Sequence, residues 1–266
     1  MTLKARAPSM ARAGTVLAGS LLWAGFLGGP AGTAEARALA PASLVAGAAG
    51  AASTGQGRCP DNLADRLAST GPARQLITVE ATGAAHRVTT AEIWHRTGLC
   101  WEKAGGPWTA LIGRNGFSGH HREGDGTTPA GIYGIGPEMY GNSPNPGTKY
   151  PYHRLVCGDW WDEDPTSAQY NTFQHVVCGQ PPTFAGASEA LWTETSDYPS
   201  FAVVRYNTHP VIAYAGSAIF LHAAYGTATA GCVALPLAQL DTVLRWLVPA
   251  LRPAIVMGPA TEITGF

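Results

Sequence analysis

His222 closes the apolar run Ser217-Ala218-Ile219-Phe220-Leu221-His222, and after nine intervening residues Cys232 opens another, Cys232-Val233-Ala234-Leu235. A thiol with an ordinary pKa near about 8.5 is mostly protonated at neutral pH. An imidazole beside it can take that proton and release a thiolate nucleophile. Read as a hairpin, the two runs bring His222 and Cys232 onto adjacent antiparallel strands, where opposed Cα atoms lie about 4.5–5.5 Å apart. Gly231 lets a substrate carbonyl approach the backbone, and the amides of Gly231 and Cys232 are candidate donors to an oxyanion. The bland alternatives are a cysteine that fills an apolar strand and a histidine that caps one.

The cysteine count bears on that choice. The chain has 5 Cys, an odd number: Cys59, Cys100, Cys157, Cys178 and Cys232. Five choices of the unpaired residue, each with three pairings of the rest, leave fifteen patterns. The simplest joins Cys59 to Cys100 and Cys157 to Cys178, and leaves Cys232 as a thiol. In the chain-entropy view each such loop contributes about 3–4 kcal/mol. No C-x-x-C pair exists, and His120, His121, His153, His175 and His209 lack helical ligand spacing. The acidic runs around Glu123 and Asp162 do not carry the twelve-residue calcium pattern. Neither a metal nor another cofactor is expected.

Two other hydrolytic chemistries fit poorly. In Gly116-Phe117-Ser118-Gly119-His120 the second glycine comes one place too early for a serine nucleophile elbow. No histidine follows Cys232, so the papain-like order of Cys before His is excluded. Any imidazole partner must come from upstream.

The elements that must position these residues read as short strands over 75–81, 87–94, 131–136, 202–207, 217–222, 232–235 and 254–257, each bounded by turn formers. A short helical pattern follows Cys59. Pro236 opens a second helix with Leu237, Leu240, Val243, Leu244 and Leu247 on one face and Pro249 beyond it. The expected fold is therefore mostly β, an antiparallel sandwich or barrel with one or two short helices. Residues 137–200 show little periodicity and are expected to form a large excursion over the sheet or a wall for substrate. Within them Trp160, Trp161 and Tyr170 are candidates to stack on a glycan or a peptide.

Only 13% of residues are charged, with 17 Lys+Arg against 18 Asp+Glu, which argues against a coiled coil, a disordered tail or a nucleic-acid partner. Residues 1–36 read as a secretory signal: Lys4, Arg6 and Arg12, an apolar stretch, then Ala34-Glu35-Ala36. The stretch from Ala13 to Gly28 is shorter than a spanning helix needs, so no membrane anchor is expected after cleavage. Residues 37–57 read as an Ala/Gly-rich linker and 58–266 as one domain.

Two separated segments carry a resemblance. "GDGTTPAGIYGIG" at 124–136 and "IFLHAAYGTATAGCVALP" at 219–236 resemble the L,D-transpeptidase catalytic domain (YkuD-like), and "DWWDEDPTSAQYN" at 159–171 is similar to a variant subgroup. The resemblance spans roughly 108–258. It implies a secreted cysteine acyltransferase of cell-wall biogenesis, acting on peptidoglycan stem peptides and open to acylation by carbapenem-type β-lactams. It implies Cys232 as nucleophile, His222 as base, the Ala223 carbonyl as its orienter, and the amides of Ala230, Gly231 and Cys232 as oxyanion donors. Arg114, Asn115 and Tyr225 are implied candidates for binding substrate, with Trp160 and Trp161 beside them. The sequence departs from the family pattern where Ala230 replaces the second motif His and Ala234 replaces Asn or Arg. Those departures leave two alternatives beside transpeptidation: an L,D-carboxypeptidase that uses water, and a wall-binding module without chemistry.

Overall fold

The computed structural model describes residues 58–185 and 188–266, so the expected signal peptide and linker lie outside the described residues. Among the described residues the strands are β1 (Gln75–Ala81), β2 (Val88–Thr97), β3 (Cys100–Leu111), β4 (Phe117–Ser118), β5 (Thr128–Pro129), β6 (Gly131–Gly141), β7 (Tyr152–Arg154), β8 (Asp159–Asp162), β9 (Thr172–His175), β10 (Glu189–Ala190), β11 (Phe201–Val204), β12 (Phe220–Ala223), β13 (Val233–Leu235) and β14 (Ala254–Pro259). Two α-helices accompany them, α1 (Leu63–Arg66) and α2 (Leu237–Trp246). The expected mostly β class with few helices holds.

The main sheet runs β11-β12-β13-β3-β2-β1-β14-β6, and β6 pairs back onto β11, which closes the ring into a barrel. Closure removes the open edges that would otherwise invite pairing with another chain. Leu240, Val243 and Leu244, spaced for one helical face, fix α2 against this core. The longest strand, β3, was not expected, because Gly105-Gly106-Pro107 reads as a break. The chain runs through it with a register shift opposite Ala91 and Ile93. Gly106 has φ +89°, and a Cβ there would lie 2.7 Å from the Ala91 carbonyl oxygen, so this bulge needs glycine.

The expected hairpin between the two runs carrying His222 and Cys232 is corrected: β12 and β13 are parallel, with Leu221 opposite Val233 and His222 opposite Ala234. A two-residue turn enforces a hairpin, but nine residues can reach about 30 Å, more than the length of a four-residue strand. The connection therefore returns to the start of β12, pinned on the way by Thr229 N–H donating to Ile112 O and Arg114 N–H donating to Thr229 O, both 2.9 Å.

Strand alternation then sorts the side chains. Ile219, Leu221, Ala223, Val233 and Leu235 point into the barrel, while Ala218, Phe220 and Cys232 point outward into a second apolar cluster. That second cluster lies under the excursion, whose own small sheet has the order β10-β8-β9. Trp161, Leu191, Tyr198 and Phe201 complete it. The structure joins Cys157 to Cys178 beside this small sheet, joins Cys59 to Cys100, and leaves Cys232 as a buried thiol.

Candidate active site

Cys232 and His222 line one cavity of about 250 Å³, together with Glu189, Glu194, Asp197, Tyr198, Tyr225, Ala228, Thr229 and Ala230. Barrel and excursion each supply part of it. Parallel register explains the proximity that a hairpin was expected to give. His222 and Ala234 are partners, and Cys232 stands two residues before Ala234 on the same face. Strand spacing and rise put the Cα atoms of His222 and Cys232 about 8 Å apart on a diagonal, a gap that the two side chains can bridge.

His222 is held in one orientation. Its Nδ1 donates to the Ala223 carbonyl oxygen at 2.8 Å, which turns Nε2 into the ring's acceptor nitrogen. Tyr198 meets the ring edge-on, with centroids 5.4 Å apart at 86°. Asp197 Oδ1 stands 4.0 Å from Nδ1, beyond hydrogen-bond reach, and its backbone carbonyl accepts from Ala223 N–H at 3.1 Å. Burial holds the imidazole down to about 4, so the ring is neutral at pH 7.

The thiol is fixed as firmly. Cys232 Sγ–H donates to the Ala218 carbonyl oxygen at 3.1 Å, and Phe220 N–H donates to Sγ at 3.3 Å. Ala218 has φ +51°, a left-handed conformation rare for a residue with a side chain. Asn171 Oδ1 holds it there by accepting Ala218 N–H at 3.1 Å. Burial pushes the thiol well above its ordinary pKa, and the neighbouring Glu189 carboxylate adds to the push. At neutral pH the resting pair is thus thiol and neutral imidazole, without a standing ion pair.

Thr128 and Thr229 brace the loop before the thiol. The fully buried Thr128 hydroxyl donates to Gly231 O at 2.7 Å and accepts Gly113 N–H at 2.9 Å. The Thr229 hydroxyl donates to Cys232 O at 2.7 Å and accepts Gly231 N–H at 3.2 Å. The Gly231 amide, one of the three expected oxyanion donors, thus already has the Thr229 hydroxyl as its partner.

The remaining expected residues divide. Tyr225 lines the cavity and is 68% exposed. Arg114 and Asn115 lie outside its lining: Asn115 Nδ2 donates to Asp125 O at 2.6 Å and Arg114 reaches Gly124 O at 3.4 Å, so both brace the turn before β5. Trp161 is corrected from a stacking platform to core. It is 5% exposed, edge-on to Phe220, and its Nε1–H donates to Asn171 Oδ1 at 3.0 Å. Tyr170 is buried as well, its hydroxyl held by Glu123. Trp160 is half-buried against Phe184 and Trp192, away from the cavity. Glu189, Glu194, Asp197 and Tyr198 had no sequence signal. They stand in a stretch without periodicity, and only the pairing of β10 with β8 brings Glu189 to the thiol.

A model of the L,D-transpeptidase catalytic domain (YkuD) matches residues 87–256. Among curated proteins and among solved structures, none matches the chain.

Proposed function

The chain belongs to the L,D-transpeptidase catalytic domain family, and from that premise we propose that it is a secreted peptidoglycan L,D-transpeptidase in which Cys232 is the acyl carrier. The family is one of cysteine acyltransferases that act on the cell wall. The observation that carries this reading is the single cavity shared by Cys232 and an imidazole whose Nδ1 is tied to Ala223 O at 2.8 Å.

In the first half-reaction Sγ attacks the carbonyl at the L-centre of an L,D-peptide bond in a tetrapeptide stem. His222 Nε2 takes the thiol proton as the S–C bond forms. The tetrahedral oxygen is met by the amides of Ala230 and Cys232. Collapse breaks the C–N bond, His222 returns its proton to the leaving amine, and D-alanine departs from a thioester. Because both partners rest neutral, the proton transfer accompanies attack and does not precede it. In the second half-reaction an amine of a neighbouring stem attacks the thioester, which gives a 3→3 cross-link and regenerates the thiol.

Two disulfides suit an extracellular site of action. Incubation with a tetrapeptide muropeptide, followed by chromatography and mass analysis, tests the reading. Dimers joined through their two diamino acids are the expected main product. Tripeptide monomer alone would make water the acceptor and the chain a carboxypeptidase.

A further inference from the structure

The excursion's side of the cavity carries three carboxylates, and among the described residues no lysine or arginine lines it. Glu189 is the deepest of them. Tyr198 donates its hydroxyl to Glu189 Oε2 at 2.5 Å, while Oε1 makes no hydrogen bond among the described residues, and Glu189 lines the same cavity as Cys232. Glu194 and the partly exposed Asp197 line the same cavity nearer to solvent, as does the exposed Tyr225. A carboxylate in the cavity that holds the nucleophilic sulfur has an unfavourable effect on the first half-reaction, since its charge opposes a thiolate. It suits the second, in which the sulfur is a neutral thioester and the incoming group is an ammonium.

We propose that Glu189 is the proton acceptor for the incoming amine, on a wall shared with Glu194 and Asp197 that draws in a cationic acceptor and repels a carboxylate. This rests on the thioester reading above. The protons balance: the acceptor ammonium gives one proton to Glu189, its freed lone pair attacks the thioester carbon, and the C–S bond breaks. The second nitrogen proton passes to His222 and then to the departing sulfur, restoring Cys232 as thiol. Glu189 afterwards returns its proton to solvent through the mouth. Burial raises the Glu189 pKa above the ordinary carboxylate value, and the charges of Glu194 and Asp197 act in the same direction, so the group exchanges protons more readily near neutrality than a free carboxylate does.

The test separates the two half-reactions in the full chain. Acylation is followed by intact mass with a donor tetrapeptide, and the acyl-enzyme is then mixed at pH 7 with a lysine-containing tripeptide or with hydroxylamine, which is largely uncharged there. Glu189→Gln should acylate at least as fast as wild type, by up to about tenfold for each unit that the thiol pKa falls. Its aminolysis by the cationic tripeptide should drop by about 10²-fold or more. Hydroxylamine, which needs no deprotonation, should restore turnover to within a few-fold of wild type. Equal slowing of acylation and aminolysis, or equal slowing with both acceptors, would overturn the assignment. The double variant Glu194→Gln, Asp197→Asn decides independently of how Glu189→Gln folds: half-saturation for the tripeptide should rise several-fold and that for hydroxylamine stay put, and no change in either contradicts the wall. A wild-type chain that forms no adduct defeats the thioester reading itself, and this proposal with it.

Discussion

The barrel and the excursion hold their contributions to the cavity by different physics. His222 and Cys232 are fixed by strand register and apolar burial, with exposures of 4% and 7%. Glu189 sits on a two-residue strand and is held by the Tyr198 hydroxyl, and the neighbouring strand β8 is held by a clamp in which the fully buried Asp159 accepts from His153 Nε2 at 2.8 Å and His175 Nδ1 at 2.7 Å. The ring of strands supplies a rigid pair of reacting groups. The excursion supplies charge whose effect depends on protonation.

The largest effect that would break this division falls on the barrel side. His222→Ala should slow acylation by about 10²–10⁴-fold and leave the fold intact, as read by single-turnover mass kinetics. A loss of less than a few-fold would remove the imidazole from the proton path.

The two regions should also respond to pH with opposite sign. The folded His222 has a pKa near about 4 against 6.5 for the ordinary group, so the unfolded chain binds the extra proton. Its stabilisation is present above about pH 6.5 and is lost as pH falls toward about 4, a difference of about 3 kcal/mol. Glu163 is raised by burial and by the charge of Glu189, and Glu189 by burial and by the charges of Glu194 and Asp197, so the folded excursion binds protons that the unfolded chain releases. That contribution is present below the ordinary carboxylate value and is lost as pH rises through their elevated range. Hydrogen exchange corrected for intrinsic rates should show β12 opening more at pH 4, and β8 and β10 opening more at pH 9. The same sign in both regions would contradict the assignments.

Cleavage of the excursion's disulfide sharpens the contrast. Cys157→Ser with Cys178→Ser opens a loop of sequence separation 21, at a cost of about 3 kcal/mol. The loss should appear as faster proteolysis of 157–200, with the barrel's protection retained. Smaller still is Thr128→Ala, which strands Gly113 N–H and Gly231 O in a buried place at about 1–3 kcal/mol. It should lower thermal stability by that amount and slow acylation by letting the Gly231 loop relax. A variant as stable and as fast as wild type would deny Thr128 its bracing role.

The barrel's share of the site was legible in the sequence, and the excursion's was not. Alternating apolar runs marked most ring strands, and the simplest of the fifteen cysteine patterns left Cys232 as the thiol that the structure also leaves unpaired. The direction of β13 was misjudged because a nine-residue connection permits either a hairpin or a return crossover, and local pattern does not distinguish them. β3 was hidden by the Gly-Gly-Pro at its bulge. The carboxylate wall was invisible for a deeper reason: Glu189 meets Cys232 only through the long-range pairing of β10 with β8, and polar residues in a stretch without period announce no partner. Trp161 and Tyr170 looked like an open platform for the same reason, and the core they complete belongs to another part of the chain.

The central claim is that Cys232 carries the acyl group, and intact mass of the full chain after incubation with a tetrapeptide muropeptide tests it most directly. The account predicts an increase equal to the donor less D-alanine, mapped by peptide analysis to Cys232 and absent in Cys232→Ala. An unmodified wild-type chain under conditions where the donor binds, or an adduct that persists in Cys232→Ala, would contradict it.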